Sequence, residues 1–467
     1  MSERGFNVVD WLIAPVCGLA IACSAEAEPR DQWVIELDSD VPVPELADRL
    51  LVQITDVEGR PVCESCQRQF GVGDDDAWPV SFGIASEGAP DRVLVRSRLY
   101  RVQDTGSDGL PLPDQGIDHL AELPPAQGVT TLRVELRMDC YGVGASVAEA
   151  EACDPTRGEL GPISVLTPPD SHVALSVWPL AADAPCDWEV PEEMTCVPGG
   201  AFVMGDARAF IVSPELASAP ERLVVLSPFA LDTEEMTVGA FRQLSREHPE
   251  LPLPVAAATS KAPAYRFCTF AEDDDAGAQD EMPLNCISRD DALAICRAQG
   301  KRLPTEAEWE FAAGNRERET TYPWGDSLAD ACNRTVHATD VNVLGGGLGP
   351  SYCRQKRPPE DRAAGPRAGG DSDDVTLLGL RNLGGNVSEW VADSLVPYAD
   401  ACVETSTPWL VDPVCARAGM PRANRGASWQ SLLLGAQSFQ RGGTQSGGAI
   451  DAVGVRCAQS KGQSLNE

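Results

Sequence analysis

Sixteen cysteines are the most chemically capable residues of this 467-residue chain, and four histidines, His119, His172, His248 and His337, accompany them. Thiolates and imidazoles at short spacing read as zinc sites. Here the histidines are dispersed, and none reads as standing beside a cysteine pair, which argues against zinc. The pair in "CESC", Cys63 and Cys66, has the spacing of a redox motif. No βαβ pattern surrounds it, so a structural bridge is the better reading. Other cysteines are close enough to suggest local bridges: Cys140 with Cys153, Cys186 with Cys196, Cys332 with Cys353, and Cys402 with Cys415. Spacing leaves that connectivity open. Ser431, in "RGASWQSLLLGAQSFQRG" (425–442), is a candidate nucleophile. It needs a base within hydrogen-bond reach, and no histidine stands near it in sequence.

The elements that must position these residues divide the chain in two. From Trp33 to about Leu180 the pattern alternates strictly. In "TLRVELRMDC", Leu132, Val134, Leu136 and Met138 face one way while Arg133, Glu135 and Arg137 face the other. "WPVSFGI", "RVLVRSRLYRV" and "HVALSVWPL" behave alike, separated by Gly, Pro and Asp clusters, which predicts an antiparallel β-sandwich over 33–185. Nothing in it has catalytic spacing. After "AADAPCDWEVPEE" (181–193) short helices alternate with Gly- and Pro-rich loops. "TVGAFRQL" reads as a helix, and so does "SRDDALAICRAQGK", with Ser288 as N-cap and Gly300 past its end. "LPTEAEWEFAA" carries a capping box from Thr305 to Glu308. No internal repeat or low-complexity tract appears. This second region is read as 186–459, followed by a tail over 460–467.

Seventy-one acidic against 37 basic residues give a formal charge of −34, which repels nucleic acid and anionic headgroups. The apolar run "WLIAPVCGLAIAC" is of signal-peptide length, too short to span a bilayer, and "AIAC" before Cys23 resembles a bacterial lipobox. The expectation is a signal peptide over 1–22, lipid on Cys23, a polar tether over 23–32, and a lipoprotein of the cell envelope, on the outer membrane or facing the periplasm. It would meet the membrane through its anchor alone. With Cys17 removed and Cys23 acylated, fourteen cysteines remain, an even number that suits seven disulfides in an oxidising compartment.

Six blocks in order give the second region a resemblance. They are "CVPGGAFVMGD", "PFALDTEEMTVGAFRQL", "MPLNCISRDDALAICRAQGKRLPTEAEWEFAAG", "YPWGD", "LGLRNLGGNVSEWVADS" and "RGASW…VGVRCA". Together they resemble the sulfatase-modifying factor family, whose best-known members are formylglycine-generating enzymes. The resemblance implies a mixed α/β fold with little regular secondary structure, related to C-type lectin-like domains. It also implies a bridge between Cys296 and Cys457, and copper(I) chemistry on two cysteines. Aligning "RGAS" places Ser431 and Ala436 at those two positions. A hydroxyl and a methyl cannot replace soft thiolates, so copper is not expected. Other branches of the family use histidines and a carboxylate for iron, which four dispersed histidines do not favour.

The resemblance further implies a structural calcium at Asn382, Gly385, Val387 and Glu389, two backbone carbonyls among hard side-chain oxygens. A second calcium would start at Asn333 and the backbone of Arg334. The reading that follows is a binding or scaffolding lipoprotein for a protein, peptide or glycan ligand. Its alternatives are an oxidoreductase of divergent chemistry and a purely structural envelope protein.

Overall fold

The computed structural model describes residues 31–462 apart from 74–77, 87, 170–173, 207–215, 257–264, 273–276, 278, 341–351, 360–362, 370–371, 401, 403–406 and 445–446. The signal segment, Cys23, nearly all of the tether, His172 and the end of the tail lie outside the described residues. Among the described residues no helix is long and apolar enough to cross a membrane.

The first region holds β1 (Gln32–Ser39), β2 (Arg49–Thr55), β3 (Gln67–Gly71), β4 (Val80–Ala85), β5 (Val93–Tyr100), β6 (Ile117–Leu123), β7 (Val129–Leu136), β8 (Glu151–Asp154) and β9 (Glu159–Pro162). One sheet runs β4-β1-β7 and another β3-β2-β5-β6, while β8 and β9 form a hairpin. Strand alternation sends every second side chain to one face. Trp33, Ile35 and Leu37 of β1 and Leu132, Val134 and Leu136 of β7 therefore share one core with Leu50, Val52, Ile54, Val93, Val95 and Leu99 of the other sheet.

Two expectations need correction. Pairing is not antiparallel throughout, because β1 runs parallel to β7 from Gln32 opposite Val129 to Ser39 opposite Leu136. The chain reaches β7 only after crossing the second sheet, and such a crossover permits a parallel pair. "HVALSVWPL" also forms no strand among its described residues, 174–180. Leu175 N donates to the Asp38 side chain at 3.0 Å, and Trp178 N donates to the Asp40 carbonyl at 2.7 Å. Pro179 then leads into a single 3₁₀ turn. Isolated bonds to side chains and loops replace a ladder.

The second region adds β10 (Met194–Val197), β11 (Gly200–Met204), β12 (Arg222–Leu226), β13 (Phe229–Asp232), α1 (Val238–Glu247), α2 (Arg289–Ala298), α3 (Glu306–Ala313), α4 (Ala331–Arg334), α5 (Tyr352–Lys356), β14 (Ser388–Ser394), β15 (Leu410–Val411), β16 (Arg422–Arg425), β17 (Arg441–Thr444), β18 (Val453–Gly454) and β19 (Ala458–Ser460). Strands and helices are short and most of the region is loop. Thr237, Ser288 and Thr305 cap α1, α2 and α3, the last two as full capping boxes closed by Asp291 and Glu308. A four-stranded sheet runs β17-β16-β14-β18. α3 is buried on all sides, with Trp309 and Phe311 packed among Phe202, Phe229 and Val391.

Among the described residues seven disulfides replace what regular structure would supply. Cys63–Cys66, Cys140–Cys153, Cys186–Cys196, Cys332–Cys353 and Cys402–Cys415 are local. Cys268–Cys286 had no signal in the sequence beyond its parity. Cys296–Cys457 ties α2 to the end of the chain.

The two regions share their packing. Ala201, Val203, Leu223, Val225 and Trp409 join the core of the first sheets, and Trp409 meets Trp178 edge-on at 5.1 Å. Arg101, just after β5, pairs with Glu221 and, at 2.6 Å, with Glu319 of the second region. A cleft of about 510 Å³ follows this seam, lined by Glu45, Asp48, Gln103, Arg318 and Phe439 among others.

Candidate functional site

The segment 425–442 leaves β16, turns through a 3₁₀ helix at Leu433–Ala436 and returns as β17, which pairs antiparallel with β16. Gly426 starts the excursion at φ +78°, where a Cβ would lie 2.7 Å from the Leu383 carbonyl. Ser431 Oγ accepts the Ser428 N–H at 2.9 Å and lies 3.1 Å from Ser428 Oγ. Its hydroxyl is therefore engaged in closing a turn, with no imidazole or carboxylate among these partners. Ala436 is buried beside Tyr322 and Ala427, with Trp324 and Leu433 packed against them. The Tyr322 and Trp324 rings stack at 4.9 Å. A serine in a turn and a methyl under aromatic rings supply no soft ligand.

The loop before β14 carries Asn382 and Asn386 at positive φ, +60° and +72°. It is pressed against 335–336, since a Cβ on Gly385 would sit 2.1 Å from Thr335 Oγ1. Into this loop points a carboxylate the sequence reading missed, Glu235, from the segment between β13 and α1. Its Oε2 accepts from Asn382 Nδ2 at 3.1 Å and Asn386 Nδ2 at 2.9 Å, and its Oε1 accepts from Val387 N at 3.1 Å. Burial, with repulsion from Glu389, pushes the Glu235 carboxyl up to about 8. Glu235 lies within "PFALDTEEMTVGAFRQL", a block that carried the resemblance but gave this residue no role. Two adjacent acids before a capped helix were the available signal.

Glu389 is placed differently from a freely offered ligand. Its Oε2 accepts from Trp309 Nε1 at 2.7 Å and its Oε1 from Arg456 Nε at 2.9 Å. Asn382 Oδ1 accepts from Ser372 Oγ, so its amide presents nitrogen to Glu235. Asn382, Gly385 and Val387 lie on one loop and Glu389 at the start of β14, with Glu235 held by Asn382, Asn386 and the Val387 amide.

Asn333 is exposed on α4, and Arg334 Nε donates to the Ala329 carbonyl at 3.2 Å. The nearby buried acid is Asp374, whose Oδ2 accepts from Thr335 Oγ1 at 2.8 Å and Gly384 N at 2.7 Å. Its Oδ1 is buried with no hydrogen-bond partner among the described residues. Burial pushes this carboxyl up to about 7.

The histidines are separated: His119 lies on β6, and His248 ends α1 with Nδ1 3.1 Å from Glu250 Oε1. His337 corrects the expectation that no histidine neighbours a cysteine pair. Its Nε2 lies 3.2 Å from Cys353 Sγ, beside the Cys332–Cys353 bridge. His337 stands only five residues after Cys332 in the sequence, and the turn after α4 brings its ring to the bridge. Burial pulls the imidazole down to about 4, so it is neutral at ordinary pH.

The family model of the sulfatase-modifying factor enzyme 1-like domain matches residues 183–461. The mouse "Inactive C-alpha-formylglycine-generating enzyme 2" is 29% identical over 315 residues, 58% of this chain and 86% of its own length. The "Formylglycine-generating enzyme" of Thermomonospora curvata is 29% identical over 279 residues, 52% of this chain and 84% of its own. Among solved structures, PvdO from Pseudomonas aeruginosa aligns with a TM-score of 0.40 at 17% identity, covering 57% of this chain and 94% of that one. With more than half its length matched by the family model, the chain belongs to the sulfatase-modifying factor family, whose fold its second region carries.

Proposed function

We propose that this chain is an exported lipoprotein whose sulfatase-modifying-factor domain binds or scaffolds a protein, peptide or glycan and does not make formylglycine. The observation that carries the reading is the pair Ser431 and Ala436, one closing a turn and the other sealed under Tyr322 and Trp324. The mouse relative's printed name, an inactive member, agrees with it. The seam cleft beside Phe439 is the place for a polar ligand, being lined by charges of both signs. Purified protein supplied with copper and a cysteine-containing sulfatase peptide should yield no formylglycine by mass spectrometry. Product above a no-protein control would return the chain to the enzymes.

The same domain takes one calcium at Asn382, Gly385, Val387 and Glu389, with Glu235 as the added carboxylate. The fit rests on a buried carboxyl group whose hydrogen-bond donors are two amides and a backbone N–H, with the Glu389 carboxylate and the Arg456 guanidinium close by. A divalent ion would add the positive charge that two carboxylates call for there. Binding to the folded state alone stabilises by about 3–4 kcal/mol at 100–1,000 times Kd. Chelator should lower the melting temperature, and Glu235→Gln should abolish that response while keeping the side chain's shape. Glu389→Ala is a poorer probe because it also strips Arg456 of its partner. An unchanged melting curve of the wild-type chain in chelator sinks the assignment. A second ion near Asn333 and Arg334 would draw on Asp374 and would appear as a second equivalent in the same titration.

Export rests on the "AIAC" junction at Cys23. Cys23→Ala should move the protein from the membrane fraction to the soluble one. Membrane association that survives the substitution removes the lipid anchor from the reading.

A further inference from the structure

Among the described residues, Cys332, His337 and Cys353 place their ligand atoms within 4.8 Å of one another. We propose that they form a redox-gated metal site: closed as the Cys332–Cys353 disulfide, and, once a dithiol has reduced it, able to hold one zinc ion on Cys332 Sγ, Cys353 Sγ and His337 Nε2. This goes beyond the binding role above, and its three ligands are not residues on which that role rests.

Two thiolates and an imidazole are a zinc ligand set, with the fourth position left to water. A disulfide that only staples α4 to α5 has no need of an imidazole, yet His337 aims one at it. His337 Nδ1 lies 3.4 Å from the Thr335 carbonyl, and a hydrogen there leaves the Nε2 lone pair on the sulfur side, 3.2 Å from Cys353 Sγ. This is how an outer partner orients a metal-bound histidine. The loop carrying His337 is pinned on both sides: Asn386 N donates to the Val336 carbonyl at 2.8 Å, and Ala338 N to the Ser431 carbonyl at 2.9 Å. Each sulfur, by contrast, sits on a helix of one turn. Tetrahedral zinc at about 2.3 Å from each sulfur separates the two by about 3.8 Å. Rotation about the cysteine side chains can provide that separation without moving the imidazole.

Access sets the order of events. Cys332 is partly exposed whereas Cys353 and His337 are buried. One thiolate of the dithiol attacks Cys332 Sγ, the protein S–S bond breaks, and Cys353 leaves as thiolate beside His337. The second thiolate of the reductant then attacks the mixed disulfide and releases Cys332. The dithiol is oxidised to its disulfide by two electrons, and the protein bridge is reduced to two thiols. Zinc binding releases their two protons.

The test uses the full chain, reduced anaerobically until one bridge is open as counted by alkylation, with reductant removed and zinc alone added. One equivalent should bind and should protect Cys332 and Cys353 from alkylation in peptide mass spectra. Cobalt(II) in place of zinc should give a thiolate charge-transfer band. Cys332→Ser/Cys353→Ser should lose both signals, and His337→Ala, which keeps the bridge, should weaken zinc binding tenfold or more. Equal alkylation of Cys353 with and without zinc overturns the proposal, as does an undiminished zinc equivalent in the double serine variant. The wild-type readout needs no variant to fold.

Discussion

Replacing Cys296 and Cys457 together by alanine is expected to lower the unfolding free energy by about 5 kcal/mol. The bridge closes a loop with a sequence separation of 161, and in the chain-entropy model the denatured ensemble gains most when the longest loop is released. Both cysteines are fully buried, packed with Ile295, Val455, Phe241 and Trp390. Removing two sulfurs there also leaves unfilled space, which adds to the cost. The bridge matters here because helices of ten residues or fewer and strands of two to seven residues give this region little local stability. The Cys63–Cys66 bridge, with a separation of 3, should cost below about 2 kcal/mol by the same model. Guanidinium unfolding of the two double-alanine variants measures the contrast. Equal losses would show that loop entropy is not the governing term.

Arg441→Met is expected to cost about 3–5 kcal/mol, the usual consequence of leaving a buried charge without its partner. Arg441 Nε and Nη2 grip Glu306 at 2.7 and 2.8 Å, and both residues are buried. Burial works against the Glu306 charge, but Arg441, with Arg425 and Arg222 behind it, holds the carboxyl below its usual value. A depressed carboxyl contributes stability that is present above its unfolded value and lost as pH falls through the folded one. Without Arg441 the carboxyl loses its two hydrogen bonds and its nearest cation, keeping only Arg425 at 3.6 Å and Arg222. Burial is then expected to outweigh them and raise it, and the sign reverses: the variant loses stability as pH rises. Its deficit against wild type should therefore be smaller at pH 5 than at pH 7.5. Adding Glu306→Gln should recover part of the loss, because no buried charge is then stranded. A deficit that is the same at both pH values, or no recovery in the double variant, would refute this account of the pair.

The same two substitutions mark what each level of description could reach. Alternation in "TLRVELRMDC" was enough to place Leu132, Val134 and Leu136 inside, because side chains on a strand have a period of two and half must leave water. Ser288 and Thr305 announced α2 and α3, since a capping hydroxyl bonds backbone within three residues of itself. The place of Ser431 and Ala436 at the family's two cysteine positions was likewise legible, because it needed only the order of residues after "RGAS" and the resemblance, and involves no distant partner. Partners distant in the chain were not. Glu306 and Arg441 are 135 residues apart, Glu235 and Asn386 151, and nothing local in either member names the other. The parallel pairing of β1 with β7, the aim of His337 at Cys353 and the turn of Glu389 toward Arg456 likewise depend on where distant elements pack. Sequence by itself determined which residues could do chemistry and which local elements carry them. Tertiary structure alone decided which charges are buried together, because desolvation and pairing act between groups that meet only when the chain has folded.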